Sequence, residues 1–168
     1  MSVEEIRFMS KRYVMGVLAY VVPTFLLGFV WHLVLFKDYY ESLSIYRADI
    51  IIPLGFLSMF VQAVLFAWIY ERMFASASAS VIILTLKYIV LGAVLSWSFT
   101  TLATGAKNIM SSVPRFMVIE SGFTLVQWLM VAPLTVLAFR SWRASAEPVP
   151  AAITGTNNSL AGDGIDTR

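Results

Sequence analysis

The chain has 168 residues, 59% of them hydrophobic and 13% charged, with a formal charge of +2, one histidine and no cysteine. A soluble domain keeps about a quarter of its residues charged, so the deficit points to a chain solvated largely by lipid. These counts exclude disulfides, thiolate metal sites, iron–sulfur clusters, cysteine nucleophiles and a bis-histidine haem site within one chain, and the small, dispersed charge gives no basis for binding nucleic acid.

Residues 2–12, SVEEIRFMSKR, open with Ser2 and Glu5 at capping-box spacing. Val3, Ile6, Met9 and Tyr13 recur every third or fourth residue, while Glu4, Arg7 and Lys11 lie off that stripe. The pattern predicts a short amphipathic helix on a membrane surface. Four apolar stretches follow, at about 13–36, 50–70, 81–103 and 116–139, each long enough to cross the ~30 Å of a hydrocarbon core. The first is too long for a signal-peptide core and no A-x-A-like site follows it, so it is read as a retained span. Pro23 and Pro133 sit inside the first and fourth spans, where neighbouring helices can satisfy the freed carbonyls. Pro53 falls in the first turn of the second span, where its missing N–H costs little.

The connections differ in character. The first, KDYYESLSIYRAD, is aromatic, and Tyr39, Leu43 and Tyr46 at helical spacing predict a short helix at headgroup level. The second holds the flexible run Ala75–Ser80, and the third carries Gly105, Lys107, Asn108 and Pro114. Beyond Arg143 the chain turns rich in Pro, Gly, Ser and other small residues. The expected organisation is therefore all-α: a single transmembrane domain over 1–143, built as a four-helix bundle with an N-terminal surface helix, and a disordered tail over 144–168. An even number of spans puts Arg7, Lys11, Arg12, Arg72, Arg140 and Arg143 on one side, against Lys37, Arg47, Lys107 and Arg115 on the other. That excess places both termini in the cytoplasm of a multi-pass cell (inner) membrane protein.

Polar residues inside spans are costly and face the bundle interior. Thr24, Gly28 and His32 are four apart; Gly55, Ser58 and Gln62, Gly92, Ser96 and Thr100, and Glu120, Thr124 and Gln127 are three or four apart. Each helix thus carries one small or polar stripe, the mark of helix–helix contact in lipid. Counting inward from the end that holds His32 gives three layers. His32, Thr100 and Glu120 lie about 6 Å deep at about 1.5 Å per residue. Gly28, Ser58, Ser96 and Thr124 come next, then Thr24, Gln62, Gly92 and Gln127 near the midplane.

The candidate polar interior is therefore His32, Glu120, Gln62, Gln127, Ser58, Ser96, Thr100 and Thr124, with Lys87 as an ionisable group in the third span. A carboxylate beside an imidazole can hold or relay a proton near neutrality. The competing readings place His32 at headgroup level beside Trp31 and send Glu120 out to Arg115 or to water. Gln62 and Gln127 are expected to hydrogen-bond across the midplane, and Lys87 to snorkel toward Glu71. The tryptophans and most tyrosines fall near span ends as an aromatic belt.

No phosphate-binding loop, zincin motif, nucleophile elbow or carboxylate cluster at metal-ligand spacing occurs, and nothing supports hydrolysis by Ser58 or Ser96 with His32 as base. No enzyme activity, cofactor or metal is expected.

Trp31-His32 at the end of the first span, followed by Phe36, Tyr39-Tyr40 and Tyr46-Arg47, resembles the plan of small bacterial four-helix integral membrane proteins of unknown function. The resemblance covers about the first 70 residues and implies an inner-membrane location without supplying active residues. Small multidrug exporters look different, since they carry a glutamate in the middle of the first span, where this chain has none. The sequence favours a structural, accessory or regulatory membrane protein whose partners are the bilayer and a second copy or another membrane protein. The alternative is a small-molecule or proton-coupled carrier built around His32 and Glu120.

Overall fold

The computed structural model describes residues 3–47, 49–75 and 77–144, with the side chains of 11–140 apart from positions 48 and 76. The tail beyond Ala144, expected to be disordered, lies outside the described residues. Helix α1 (Val3–Val30) runs on through a π-helical segment (Trp31–Leu35), and α2 (Lys37–Leu43) follows. Helix α3 is Ile52–Met73; α4 (Val81–Ser96) continues through a second π segment (Trp97–Leu102) into α5 (Ala103–Lys107); α6 is Val113–Ala144. Among the described residues there is no strand. Four helices, Lys11–Leu35, Ile52–Met73, Val81–Lys107 and Val113–Arg140, are long and apolar enough to cross a membrane, within a few residues of the expected spans.

The N-terminal segment is helical and leads into the first span without a break, as the first part of α1. No glycine or proline interrupts the chain before Gly16, so nothing in the sequence stops the helix at the apolar boundary. The expected short helix in the first connection is α2, which ends where Ser44 adopts a left-handed conformation (φ 57°). Ser80 caps α4 by accepting from the Ile83 amide at 3.4 Å.

Helices α1 and α6 form the central pair, α3 packs on α1, and α4 packs on α6. The main core lies in the half of the bundle away from His32. It joins Val17 and Tyr20 of α1, Phe66 and Tyr70 of α3, Leu84 and Tyr88 of α4, and Trp128 to Phe139 of α6. Trp128 sits at its centre, fully buried, with ring centroids 6.0 Å from Tyr20, 4.8 Å from Phe66 and 5.3 Å from Tyr88. Its indole N–H donates to Ser96 Oγ at 3.0 Å, and the Tyr88 hydroxyl donates to the Phe66 carbonyl at 3.0 Å, tying α4 to α3. Arg12 pairs with Glu71, and Arg140 donates to the Ala79 carbonyl, so the same end is also closed by polar contacts.

The other half is built differently. A small cluster of Tyr40, Leu43 and Phe116 seats α2 against the start of α6, helped by Ser111, whose amide donates to the Leu43 carbonyl at 3.0 Å. Between these two cores α3 leaves the α4 end free, and every residue from Ile52 to Ser58 is exposed. The bundle is packed at one end and open at the other.

Candidate functional site

A cavity of about 460 Å³ fills the open half, bordered by α1, the 46–50 connection, α3, the α4 end and α6. Its lining includes His32, Thr24 and Gly28 from α1, Gln62 and Gly55 from α3, Ser96 and Thr100 from α4 and its π segment, and Glu120, Phe123 and Gln127 from α6. Residues 120, 123 and 127 share one helical face, which is why α6 presents all three together.

His32 and Glu120 are brought together. His32 Nδ1 lies 3.0 Å from the Gly28 carbonyl, and Nε2 lies 3.2 Å from Glu120 Oε1. The Tyr40 hydroxyl donates to the same Glu120 oxygen at 2.8 Å. A carbonyl can only accept, so Nδ1 carries a hydrogen. The Nε2–Oε1 contact then requires one proton, held either as imidazolium with carboxylate or as imidazole with carboxylic acid. The pair is neutral overall in both cases, and both residues stand in the cavity wall. Both side chains are partly buried, at 22% and 13% exposure. The ring of Phe123 packs edge-on against His32 at 4.6 Å, and Tyr40 lies 4.8 Å away.

The reading that sends Glu120 out to Arg115 does not describe the geometry. His32 faces inward on a π-helical turn, closed by the Phe36 amide donating to the Trp31 carbonyl at 3.0 Å. Such turns re-aim side chains at functional sites, and the second π segment lies at the same level and places Thr100 on the cavity. Arg115 does not reach Glu120. Its guanidinium lies over the Tyr39 ring, 4.7 Å from the centroid.

Deeper in the cavity, Gln62 and Gln127 do not bond to each other. Tyr20 stands between them, its hydroxyl donating to Gln62 Oε1 at 3.0 Å and accepting from Gln127 Nε2 at 3.2 Å. Gln127 Nε2 also donates to Thr24 Oγ1 at 3.2 Å, and Gln62 Nε2 donates to Ser58 Oγ at 3.4 Å. The Tyr20 phenol of α1 stands between the two amides and links them. Tyr20→Phe is expected to cost about 1–2 kcal/mol, because it leaves the buried Gln127 amide and the half-buried Gln62 amide each short of a partner. Urea unfolding in detergent checks this.

The remaining candidates divide. Ser96 is buried against Trp128 with its hydroxyl as acceptor, and Thr100 donates to the Ser96 carbonyl at 2.7 Å. Ser58 is exposed one turn above Gln62 and does not line the cavity. Thr124 is rotated about 40° past the cavity face at 3.6 residues per turn. It lines a separate hollow of about 190 Å³ against Ala93 and Val94 of α4 and Trp97 of the second π segment. Gly92 is absent from the cavity because Trp128 covers it. Lys87 is exposed on α4, and Glu71 pairs with Arg12 instead. Among the described residues, no group of His, Asp and Glu could hold a metal ion.

No family model matches the chain, and no curated protein or solved structure does. Its chemistry must be read from the cavity itself.

Tyr20, Tyr40 and Tyr46 join the site without standing out as candidates in the sequence. Tyr20 precedes Thr24 by four, so it continues the stripe Thr24–Gly28–His32; that spacing is the signal that could have found it. Burial pushes the Tyr40 phenol well above the usual tyrosine range, and the nearby Glu120 carboxylate pushes it further the same way. Tyr46, stacked on Tyr40 at 5.4 Å, is raised by burial first and by Glu120 second. A phenol that holds its proton more tightly when folded stabilises the fold fully below about pH 10, and loses that contribution as pH rises beyond it. Stability is therefore expected to fall above about pH 10, and Tyr40→Phe should flatten that fall. Tyrosinate absorbance followed alongside unfolding measures both.

Proposed function

We propose that the four long helices cross a membrane and that the chain binds a small apolar molecule in the cavity, with the His32–Glu120 proton as part of the site. The observation that carries this reading is the cavity of about 460 Å³ that has His32, Glu120, Gln62 and Gln127 on its wall. A volume of this order holds drug-sized molecules, and a few polar groups in an apolar lining are what such sites use for orientation. Large exposed apolar side chains along all four helices, such as Leu26, Leu57, Val90 and Leu125, support insertion in lipid. The excess of basic residues at the end that holds both termini supports a cytoplasmic location for them. A proton held beside the ligand makes a proton-linked carrier a better fit than a packing scaffold, because a scaffold gains nothing from open space.

Thermal unfolding of the purified protein in a non-ionic detergent tests this, against small apolar compounds in cationic, neutral and anionic classes. A compound at about 100 times its Kd should add about 2.7 kcal/mol and raise the Tm. Gly28→Leu and Gly55→Leu should abolish the shift while leaving the fold intact, because an added Cβ at either glycine has nothing within 4 Å. If no compound of any class moves the Tm, the structural or accessory reading stands instead.

A further inference from the structure

The cavity has a chemical bias beyond its shape. Five aromatic rings, those of Phe25, Phe29, Phe56, Phe123 and Tyr46, stand on its wall. Among the described residues, no lysine or arginine does. Ring faces attract cations, most strongly where water is excluded. Glu120 Oε1 takes both the His32 and Tyr40 contacts, while its second oxygen, Oε2, has no hydrogen-bond partner among the described residues. Glu120 lines this aromatic cavity, and a carboxylate with an oxygen to spare is an acceptor for a positive group.

The rim adds a second constraint. Phe25, Phe29, Phe56, Ile50 and Ile52 line the cavity and are also between 37% and 61% exposed. Access therefore runs past apolar side chains, beside the exposed stretch from Ile52 to Ser58. A small hydrated ion has no favourable path there, whereas a cation wrapped in apolar groups does.

We infer that the cavity takes a lipophilic organic cation in exchange for the proton shared by His32 and Glu120. This rests on the binding reading above and names its ligand class. Before exchange the pair holds one proton and is neutral. On binding, the cation lies against the Glu120 carboxylate and the aromatic wall. The shared proton leaves to bulk water, and His32 remains neutral with its Nδ1 hydrogen on the Gly28 carbonyl. Net charge in the cavity is zero before and after, and no covalent bond other than that to the proton changes.

The groups facing Glu120 agree with a single exchangeable proton. His32 faces it from α1 and Tyr40 from α2, and Tyr46 lies at the cavity edge. The α3 and second π segment linings, Ile52, Gly55, Phe56, Met59, Gln62 and Thr100, include no titratable group. On α6 itself Arg115 is held over Tyr39, and Lys37 of α2 pairs with Glu41 at 3.6 Å. Both phenols keep their protons through the neutral range, so the histidine–glutamate pair is the exchanging group.

The test is calorimetric titration of the detergent-purified protein with tetraphenylphosphonium, in two buffers of different ionisation heat, from about pH 6 to about pH 8. The expected result is release of about one proton per cation. Affinity should strengthen by up to about tenfold per pH unit over the range in which the pair holds its proton. Gly28→Leu should abolish binding with the pair intact. Glu120→Gln should lose the pH dependence, and if it does not fold, proton release by the wild type still decides. Binding without proton release, or equal binding of the equally shaped anion tetraphenylborate, overturns the exchange. If tetraphenylphosphonium fails while a neutral compound raises the Tm in a Gly28-dependent way, the cation assignment falls and the cavity reading survives. If no class binds, both fall.

Discussion

Adding one methyl group at Gly92 is expected to destabilise the protein by about 2–3 kcal/mol, whereas the same methyl at Gly28 or Gly55 should be neutral or stabilise by up to about 1 kcal/mol. The three glycines look alike in the sequence, each within a small or polar stripe of an apolar helix. They differ in what stands opposite. A Cβ at Gly92 would lie 2.0 Å from Cη2 of Trp128 and within 2.3 Å of two further ring atoms. Trp128 cannot retreat, because it is fully buried, held by Ser96, and ringed by Tyr20, Phe66 and Tyr88. Overpacking a core of this kind costs about 1–3 kcal/mol, and the rigidity of four aromatic rings puts Gly92→Ala toward the top of that range. At Gly28 and Gly55 the added methyl enters open space, so the gain in helix propensity is all that remains. Unfolding in mixed micelles across the three variants measures the difference, and equal costs at all three would mean that the bundle is closed throughout.

Glu120→Ala carries the second large effect, a loss of about 2–4 kcal/mol. The Tyr40 residue is fully buried, and its hydroxyl would lose its acceptor. A buried donor left without a partner costs about 1–3 kcal/mol. His32 would lose its partner at Nε2, at a smaller cost, since at 22% exposure the ring can turn to water in the cavity. Glu120→Gln keeps an oxygen for Tyr40 and should cost about half as much. A double-mutant cycle with His32→Ala separates the shared contact from the rest, with a coupling of about 1 kcal/mol or more expected. Additive losses would mean that the two side chains do not interact.

How far these features could be read in the sequence depends on what periodicity encodes. The four long helices were legible because a stretch such as 116–139 is apolar over more than one membrane thickness. The stripes were legible too, since spacing by three and four puts residues on one face whatever lies opposite. Spacing does not encode which helices are neighbours. Helix α3 touches α1 and leaves the α4 end free, so Gly28 and Gly55 border space while Gly92 is pressed on Trp128. Nor does periodicity resolve about 40° on a helix, the rotation that sends Thr124 to α4 while Glu120 and Gln127 face the cavity. Tyr40 was hidden by its residue type, because a tyrosine near a span end usually marks an interface, and Tyr20 because a ring does not read as part of a small or polar stripe. The π-helical turn that aims His32 inward needs one residue more than a regular turn, which sequence pattern alone does not reveal.

Because the chain has one histidine, ¹⁵N-histidine labelling gives a single imidazole to observe. Its two nitrogen resonances, followed against pH in wild type and Glu120→Gln, test the proton site at the centre of this proposal most directly. The expected result is an Nδ1 that stays protonated throughout, held by the Gly28 carbonyl, and an Nε2 whose resonance shifts when Glu120 becomes Gln. A bare Nδ1, or an Nε2 indifferent to the change at Glu120, would contradict it.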